Sequence, residues 1–208
     1  DFGCGKSYLT FILYYYFTFK LKINAKIIGY DLKQDVVDNC NQIAKKYGYD
    51  NLIFKVSDIT KEKENFENVD MIVTLHACDV ATDYALFYAI KYGIKNIFSV
   101  PCCQHQINKS ICKGGDFDIL LQDGLIKERF SALLTDAIRI NLLREFGYLV
   151  DAIEFVDFAH SPKNLMIRAK KIDKKVKPDL TKVESLIKQY KLQQELYILL
   201  QKIYEKVH

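Results

Sequence analysis

The first residues of the chain have the pattern of a turn that approaches a nucleotide-like ligand. Asp1-Phe2-Gly3-Cys4-Gly5 places two glycines one residue apart, where a strand is expected to turn into a helix. Glycine lets the backbone come close to a ligand at this point of an α/β sheet. The pattern therefore predicts a cofactor at Gly3 and Gly5.

Two other ligands fit only part of this turn. A dinucleotide turn needs a third small residue at position 8, where Tyr8 would block the close approach of the helix. Gly5-Lys6-Ser7 resembles the end of a phosphate-binding loop whose first glycine would precede Asp1. The later strand at 71–75 runs into His76, however, and not into the acidic residue that holds magnesium in such proteins.

Two carboxylates follow the next predicted strands. Asp31 comes 26 positions after Gly5 and could accept hydrogen bonds from both hydroxyls of a ribose. Asp58 could meet an adenine amino group, with Ile59 packing on the ring. The alternatives are a helix cap for Asp31 and an ordinary turn aspartate for Asp58.

His76 and Asp79 follow the fourth predicted strand and are candidate catalytic residues. An imidazole at this edge could remove a proton from an incoming nucleophile, and a carboxylate could orient that nucleophile. The structural alternative is that His76 only forms a hydrogen bond at the rim, while Asp79 caps the helix that starts near Ala81.

The segment Pro101-Cys102-Cys103-Gln104-His105 leaves three interpretations open. Two thiols and an imidazole could bind zinc, completed by Cys112 or Cys78, although adjacent cysteines lack the usual ligand spacing. A thiolate nucleophile would need an electropositive setting. We favour the third interpretation, in which the segment forms a wall of the acceptor pocket, Cys103 or His105 touches the substrate, and no metal is bound.

The elements that position these residues alternate between helix and strand, which predicts an α/β fold. We expect a Rossmann-like, mostly parallel central sheet with helices on both faces, a late antiparallel hairpin and a truncated first strand. The helix at 6–23 should be buried nearly all round. Arg129, Ser131, Asp136 and Arg139 lie near or on a later helix, predicted at 130–146, and a solvated helix face is their default interpretation.

Three segments are expected: an α/β domain at 1–170, a basic linker at 171–178 and an amphipathic helix at 179–208 that packs on this domain, an upstream domain or a partner. The net charge of +4 permits an RNA partner without demanding one. Six scattered cysteines indicate a reducing cytoplasm. The apolar stretch at 8–19 is shorter than the roughly 20 residues of a membrane-spanning helix.

Four stretches together resemble a methyltransferase-like family. That family includes proteins labelled ribosomal RNA adenine dimethylase domain-containing and the methyltransferase half of the glutathione S-transferase C-terminal domain-containing protein. The stretches are Asp1 to Thr10, Val69 to Asp79, Ser99 to His105 and Arg129 to Asp136. The Asn-Pro-Pro-Tyr type of motif that many amino-group methylases use is absent after the fourth strand.

The resemblance implies a class I methyltransferase with a seven-strand sheet that binds S-adenosylmethionine and acts on RNA or a component of the translation machinery. It implies a cofactor-binding role for Asp1, Gly3, Gly5, Asp31 and Asp58. The competing expectation is a noncatalytic binding or scaffold module that keeps the fold.

Overall fold

Helices and strands alternate along the chain as the sequence predicts. The computed structural model describes residues 1–61, 65–75, 77–112, 115–157, 160 and 164–204. The strands are β1 (Ile27–Asp31), β2 (Leu52–Val56), β3 (Met71–Thr74), β4 (Asn96–Ser99), β5 (Tyr148–Glu154) and β6 (Leu165–Lys171). The helices are α1 (Tyr8–Tyr15), α2 (Gln34–Lys46), α3 (Val80–Tyr92), α4 (His105–Ser110), α5 (Gly124–Glu145), α6 (Thr181–Tyr190) and α7 (Glu195–Tyr204).

The strands form a parallel pair, β1-β2, and a four-stranded sheet in the order β3-β4-β6-β5. Phe2 lies between the two. It forms a parallel bridge with Tyr30, and its backbone N–H donates to the Val73 carbonyl at 3.2 Å. The described chain thus has six strands, with Phe2 in the position where the seventh is expected.

The α/β, Rossmann-like class is confirmed, including the late antiparallel pair. β3 and β4 are parallel, whereas β6 runs antiparallel to both β4 and β5. Both faces of β1 are covered. Ile28 and Tyr30 pack in the larger core cluster, and Ile27 packs with α1 and α2 residues in a second one.

The prediction that the first helix is buried nearly all round is wrong. The side chains of Tyr8 and Ile12 are 73% and 63% exposed, and only Thr10 and Tyr14 of α1 are buried. The helix continues as a wider turn at Tyr16–Lys20. Apolar residues occur on all sides of this helix, but β1, β2 and α2 cover only one side of it.

The prediction of a solvated face on the long helix is wrong for three of its four residues, although Arg129 is exposed. Ser131, Asp136 and Arg139 of α5 are buried, with 0%, 5% and 0% exposure. The helix begins earlier than the predicted residue 130, because the Asp123 carboxylate accepts the backbone N–H groups of the first turn and caps it. Charge alone suggested solvent exposure. Of the two carboxylate partners that make burial of Arg139 tolerable, Asp136 lies on the same helix and Asp83 lies on α3, 56 positions away in sequence.

The single C-terminal helix predicted at 179–208 is two helices. α6 and α7 are separated at Lys191, which has a left-handed backbone with φ of 52°. α7 packs against α3, and Leu196 and Leu200 are fully buried in the larger core cluster. No helix within the described residues is both long and apolar enough to span a membrane.

Candidate active site

The glycine turn is fastened to the carboxyl end of β1. The backbone N–H groups of Gly3 and Cys4 both donate to the Tyr30 carbonyl, at 2.9 and 3.0 Å. Gly3 and Gly5 have φ of 70° and 53°, a region that glycine adopts without the strain of a side chain. A Cβ built on Gly5 would meet nothing within 4 Å, so the space over the turn is open.

This open space is a cavity of about 290 Å³ whose lining includes Asp1, Gly3, Gly5 and Leu75. Leu75 directly follows β3, so the cavity lies where the first turn and the end of β3 meet. Thr10 donates to Oδ2 of Asp1 at 2.6 Å and fixes the carboxylate. The other oxygen, Oδ1, is buried and has no hydrogen-bond partner. An unpaired buried carboxylate oxygen is costly, and a cationic or N–H ligand would satisfy it.

Asp31 lies at the same turn. Its Oδ2 accepts the Gly5 backbone N–H at 2.9 Å, and its Oδ1 accepts the Lys33 N–H at 3.1 Å. These bonds fix the carboxylate beside the glycines. They use one of the two acceptor positions on each oxygen, which leaves one on each for a ligand. The structure therefore brings Asp1, Gly3, Gly5 and Asp31 together.

Asp58 and Ile59 lie beyond β2, and neither contributes to the wall of this cavity. The Asp58 carboxylate accepts from the Thr60 N–H and hydroxyl at 3.0 and 2.7 Å, and these bonds, with Lys61, lower its pKa below the ordinary value. Ile59 is 9% exposed and packs in the larger core cluster. The adenine contacts of this pair stay a prediction.

Asp79 holds the start of α4. Its Oδ1 accepts the His105 and Gln106 backbone N–H groups at 3.0 and 3.4 Å, so it caps α4, and not α3 as the structural alternative supposed. Asp79 has φ of 51°, which is unusual for a residue other than glycine. Arg139 donates to its carbonyl at 3.0 Å and helps to hold this conformation. His76 lies outside the described residues, and its role stays a prediction.

Three thiols converge at the ends of β3 and β4. The Sγ atoms of Cys78, Cys102 and Cys103 all lie within 4.8 Å of one another, and those of Cys78 and Cys102 are 3.0 Å apart. Burial raises the pKa of the Cys102 thiol, and the two neighbouring thiols add to the effect. Cys112 and His105, which the sequence offered as further zinc ligands, are not members of this group.

A buried polar network that the sequence analysis missed lies behind this segment. Arg139 forms a two-point ion pair with Asp83 at 2.8 and 2.9 Å and a second pair with Asp136 at 2.9 Å. Gln104 donates to the other oxygen of Asp136 at 3.1 Å. Because the Gln104 amide nitrogen must face Asp136, its Oε1 points elsewhere, and this oxygen is buried without a partner. No sequence spacing reveals the network, since its members lie on three segments.

Gln104, Cys103 and His105 also line a smaller cavity of about 130 Å³. The unpartnered Gln104 Oε1 marks a place where an N–H or O–H group of another molecule would be stabilised. His105 is exposed at the first turn of α4. The structure therefore places Asp79 after β3, and Cys103 and His105 after the neighbouring strand β4.

Comparison with known proteins assigns the family but no narrower group. Residues 1–110 match a family described as "Methyltransferase domain". The match does not reach the narrower adenine dimethylase or glutathione S-transferase groupings. No curated protein sequence matches the chain significantly.

Solved structures of similar shape are distant in sequence. The CMeT domain of the citrinin polyketide synthase is 15% identical with a TM-score of 0.49, over 81% of this chain and 44% of that one. The TehB-like SAM-dependent methyltransferase of Corynebacterium glutamicum is 15% identical with a TM-score of 0.42, over 82% and 77%. Magnesium protoporphyrin IX methyltransferase of Synechocystis, solved with bound SAM, is 14% identical with a TM-score of 0.45, over 83% and 68%. The chain thus spans less than half of the citrinin synthase chain, and these similarities are too remote to bear on its activity.

Proposed function

Because this chain belongs to the methyltransferase-domain family, we propose that it is an enzyme that transfers a methyl group from S-adenosylmethionine to an acceptor. The observation that carries the proposal is the Asp1 carboxylate, which lines the open cavity over the glycine turn and whose buried Oδ1 has no hydrogen-bond partner. This cofactor has an ammonium group and a sulfonium, and both charges are complementary to a carboxylate.

The residues of the turn fit this cofactor. Gly3 and Gly5 line the cavity, and the open space over Gly5 leaves room for the methionine end to lie against the backbone. Asp31 has a free acceptor position on each oxygen, and two neighbouring ribose hydroxyls would use both. Asp58 would contact the adenine amino group, with Ile59 beside the ring. When bound, the cofactor would supply an electrophilic methyl carbon on a positively charged sulfur.

The acceptor would be held by the segments after β3 and β4. In an in-line displacement, the enzyme gains most by fixing the nucleophile against the methyl carbon. Gln104 Oε1 would accept a hydrogen bond from the N–H or O–H of the acceptor, and Cys103 would form part of the wall. His76 or His105 would take the proton that the acceptor loses, and Asp79 would orient it.

Calorimetry on the 208-residue chain tests the cofactor assignment. We expect a dissociation constant in the range of about 1 μM to 1 mM that is typical for enzyme substrates. Asp31→Asn and Asp1→Asn should each weaken binding by about tenfold or more, since charged hydrogen bonds contribute about 1.5 to 3 kcal/mol. Asp35→Asn, on the exposed first turn of α2, is the matched control and should bind like the wild type.

Preferential binding of NAD or ATP would overturn the proposal. Equal cofactor binding by both variants would show that the carboxylates do not form the site. Full biological activity in an Asp31→Ala variant would favour the noncatalytic scaffold.

We propose RNA or a ribosome-associated component as the acceptor, and the cytoplasm as the location. The resemblance of the four sequence stretches supports the acceptor class, and the lysine-rich run at 170–177 would suit a phosphate backbone. Cell extract from a deletion strain, incubated with the enzyme and labelled cofactor, provides the test. Label removed by nuclease supports the proposal, whereas label removed by protease alone contradicts an RNA acceptor.

A further inference from the structure

The thiols of Cys78, Cys102 and Cys103 lie close together around one point, as the ligands of a metal ion do. Successive residues of an extended strand point to opposite sides, so two adjacent cysteines do not ordinarily present their sulfurs to one point. Here the chain leaves β4 before Pro101, and both sulfurs turn toward Cys78, which follows the neighbouring strand. Two strand ends that are 24 positions apart in sequence, at Cys78 and Cys102, are thus brought together through sulfur.

The distances between the three sulfur atoms are close to those expected in a thiolate metal site. In a tetrahedral zinc site with Zn–S bonds of about 2.3 Å, the sulfurs lie about 3.8 Å apart. The Cys78 and Cys102 sulfurs are 3.0 Å apart and all pairs are within 4.8 Å. Each pair therefore needs to change by about 1 Å or less. Cys78 and Cys112 are both exposed, but only Cys78 is in the group.

The ligand chemistry selects the class of metal. Three thiolates are soft donors, which favour zinc over magnesium, calcium or manganese. The arrangement also differs from the zinc site that the sequence offered, because the third thiol comes from the end of β3 and His105 is not in the group. Sequence spacing could not show this, since the three ligands come from two separate loops.

We propose that Cys78, Cys102 and Cys103 bind one zinc ion through their thiolates. The ion connects the loop after β3 to the loop after β4 and fixes the position of Cys103, which lines the smaller cavity. This site goes beyond the proposed methyl transfer, and it does not depend on the identity of the cofactor or the acceptor.

The test is metal binding by the reduced 208-residue chain after chelation and removal of the chelator. Zinc content after addition of one equivalent and gel filtration gives the stoichiometry, and we expect one ion per chain. Co²⁺ and Cd²⁺ serve as probes, because thiolate ligands give them intense ultraviolet charge-transfer absorption. Binding should also release protons, since the thiols must ionise to bind.

Serine variants locate the site. Cys78→Ser, Cys102→Ser and Cys103→Ser should each lower zinc affinity by at least about tenfold and reduce the charge-transfer absorption. Cys112→Ser is the matched control, because it removes an exposed cysteine that lies after α4 and outside the group, and it should leave both unchanged. Circular dichroism of the metal-free variants checks that they fold.

Wild-type protein that binds no zinc, or Co²⁺ and Cd²⁺ spectra without thiolate bands, would overturn the proposal even if every variant misfolds. An equal loss in Cys112→Ser would overturn it as well. A Cys78–Cys102 disulfide that resists the reductant in the metal-free chain would also do so. Calorimetry with S-adenosylmethionine on the same samples separates the two proposals, because cofactor binding with no zinc binding refutes only the metal site.

Discussion

Replacing Arg139 by methionine removes the only positive charge from a buried group that contains two carboxylates. The guanidinium is fully buried and donates to both oxygens of Asp83, to one oxygen of Asp136 and to the Asp79 carbonyl. Burial alone would lower the pKa of Arg139, but the two carboxylates outweigh it and raise the pKa above its ordinary value. Methionine fills similar space and leaves both acids unpaired.

The expected loss is large because the charges are desolvated. Removing one partner of a buried ion pair costs about 3 to 5 kcal/mol, compared with a total stability of about 5 to 15 kcal/mol for a typical domain. Asp83 keeps a bond from Gln194 at 2.6 Å, and Asp136 keeps one from Gln104. These neutral donors compensate part of the loss, so we expect about 3 kcal/mol.

Urea unfolding followed by circular dichroism measures the loss of stability as a shift of the unfolding midpoint. The dependence of the unfolding free energy on urea concentration should stay unchanged. Arg144→Met on the same helix is the matched control, since Arg144 is exposed and donates one bond to a backbone carbonyl at 3.1 Å. We expect the control to lose less than about 1 kcal/mol. A loss for Arg139→Met no greater than that of the control would refute the assignment of a structural buried network.

Three further substitutions test the packing and the charges. Gly29→Ala should cost about 1 to 3 kcal/mol by overpacking, because its Cβ would lie 2.5 Å from the buried Phe54 ring, whereas Gly124→Ala has open space and should be neutral in the same unfolding assay. Tyr148→Phe should cost about 1 to 2 kcal/mol, because its hydroxyl lies 2.8 and 2.9 Å from two buried backbone carbonyls; wild-type stability in thermal unfolding would contradict this. Burial raises the pKa of Asp136 more than Arg139 lowers it, so its contribution to stability is fully present below the ordinary value of 3.8 and is lost as the pH rises through the higher folded value. The difference in unfolding free energy between wild type and Asp136→Asn should therefore increase as the pH falls through this window. A difference that stays constant or changes in the opposite direction would show that the pKa of the Asp136 carboxyl is not raised in the folded state.

The sequence predicted the grouping of Gly3, Gly5 and Asp31 better than the surroundings of Asp79 and Arg139. Gly3, Gly5 and Asp31 lie at the ends of neighbouring strands, so their proximity follows from the alternation of helix and strand alone. Asp79 was selected for the same reason, but its carboxylate caps α4, which follows a different strand. Arg139 was assigned to a solvated face because a charged residue has that default when its partners are unknown.

Periodicity and residue type by themselves determined the α/β class, the order of the elements and the position of the glycine turn, because these depend on local backbone preferences and on strands that end at one edge. Tertiary structure alone decided which side of α1 is covered, that Arg139 is buried against Asp83, and that Cys78 meets Cys102 and Cys103. Each of these depends on contacts between segments far apart in the chain. Such contacts are set by the packing of whole elements, and the spacing of residues within one element does not encode them.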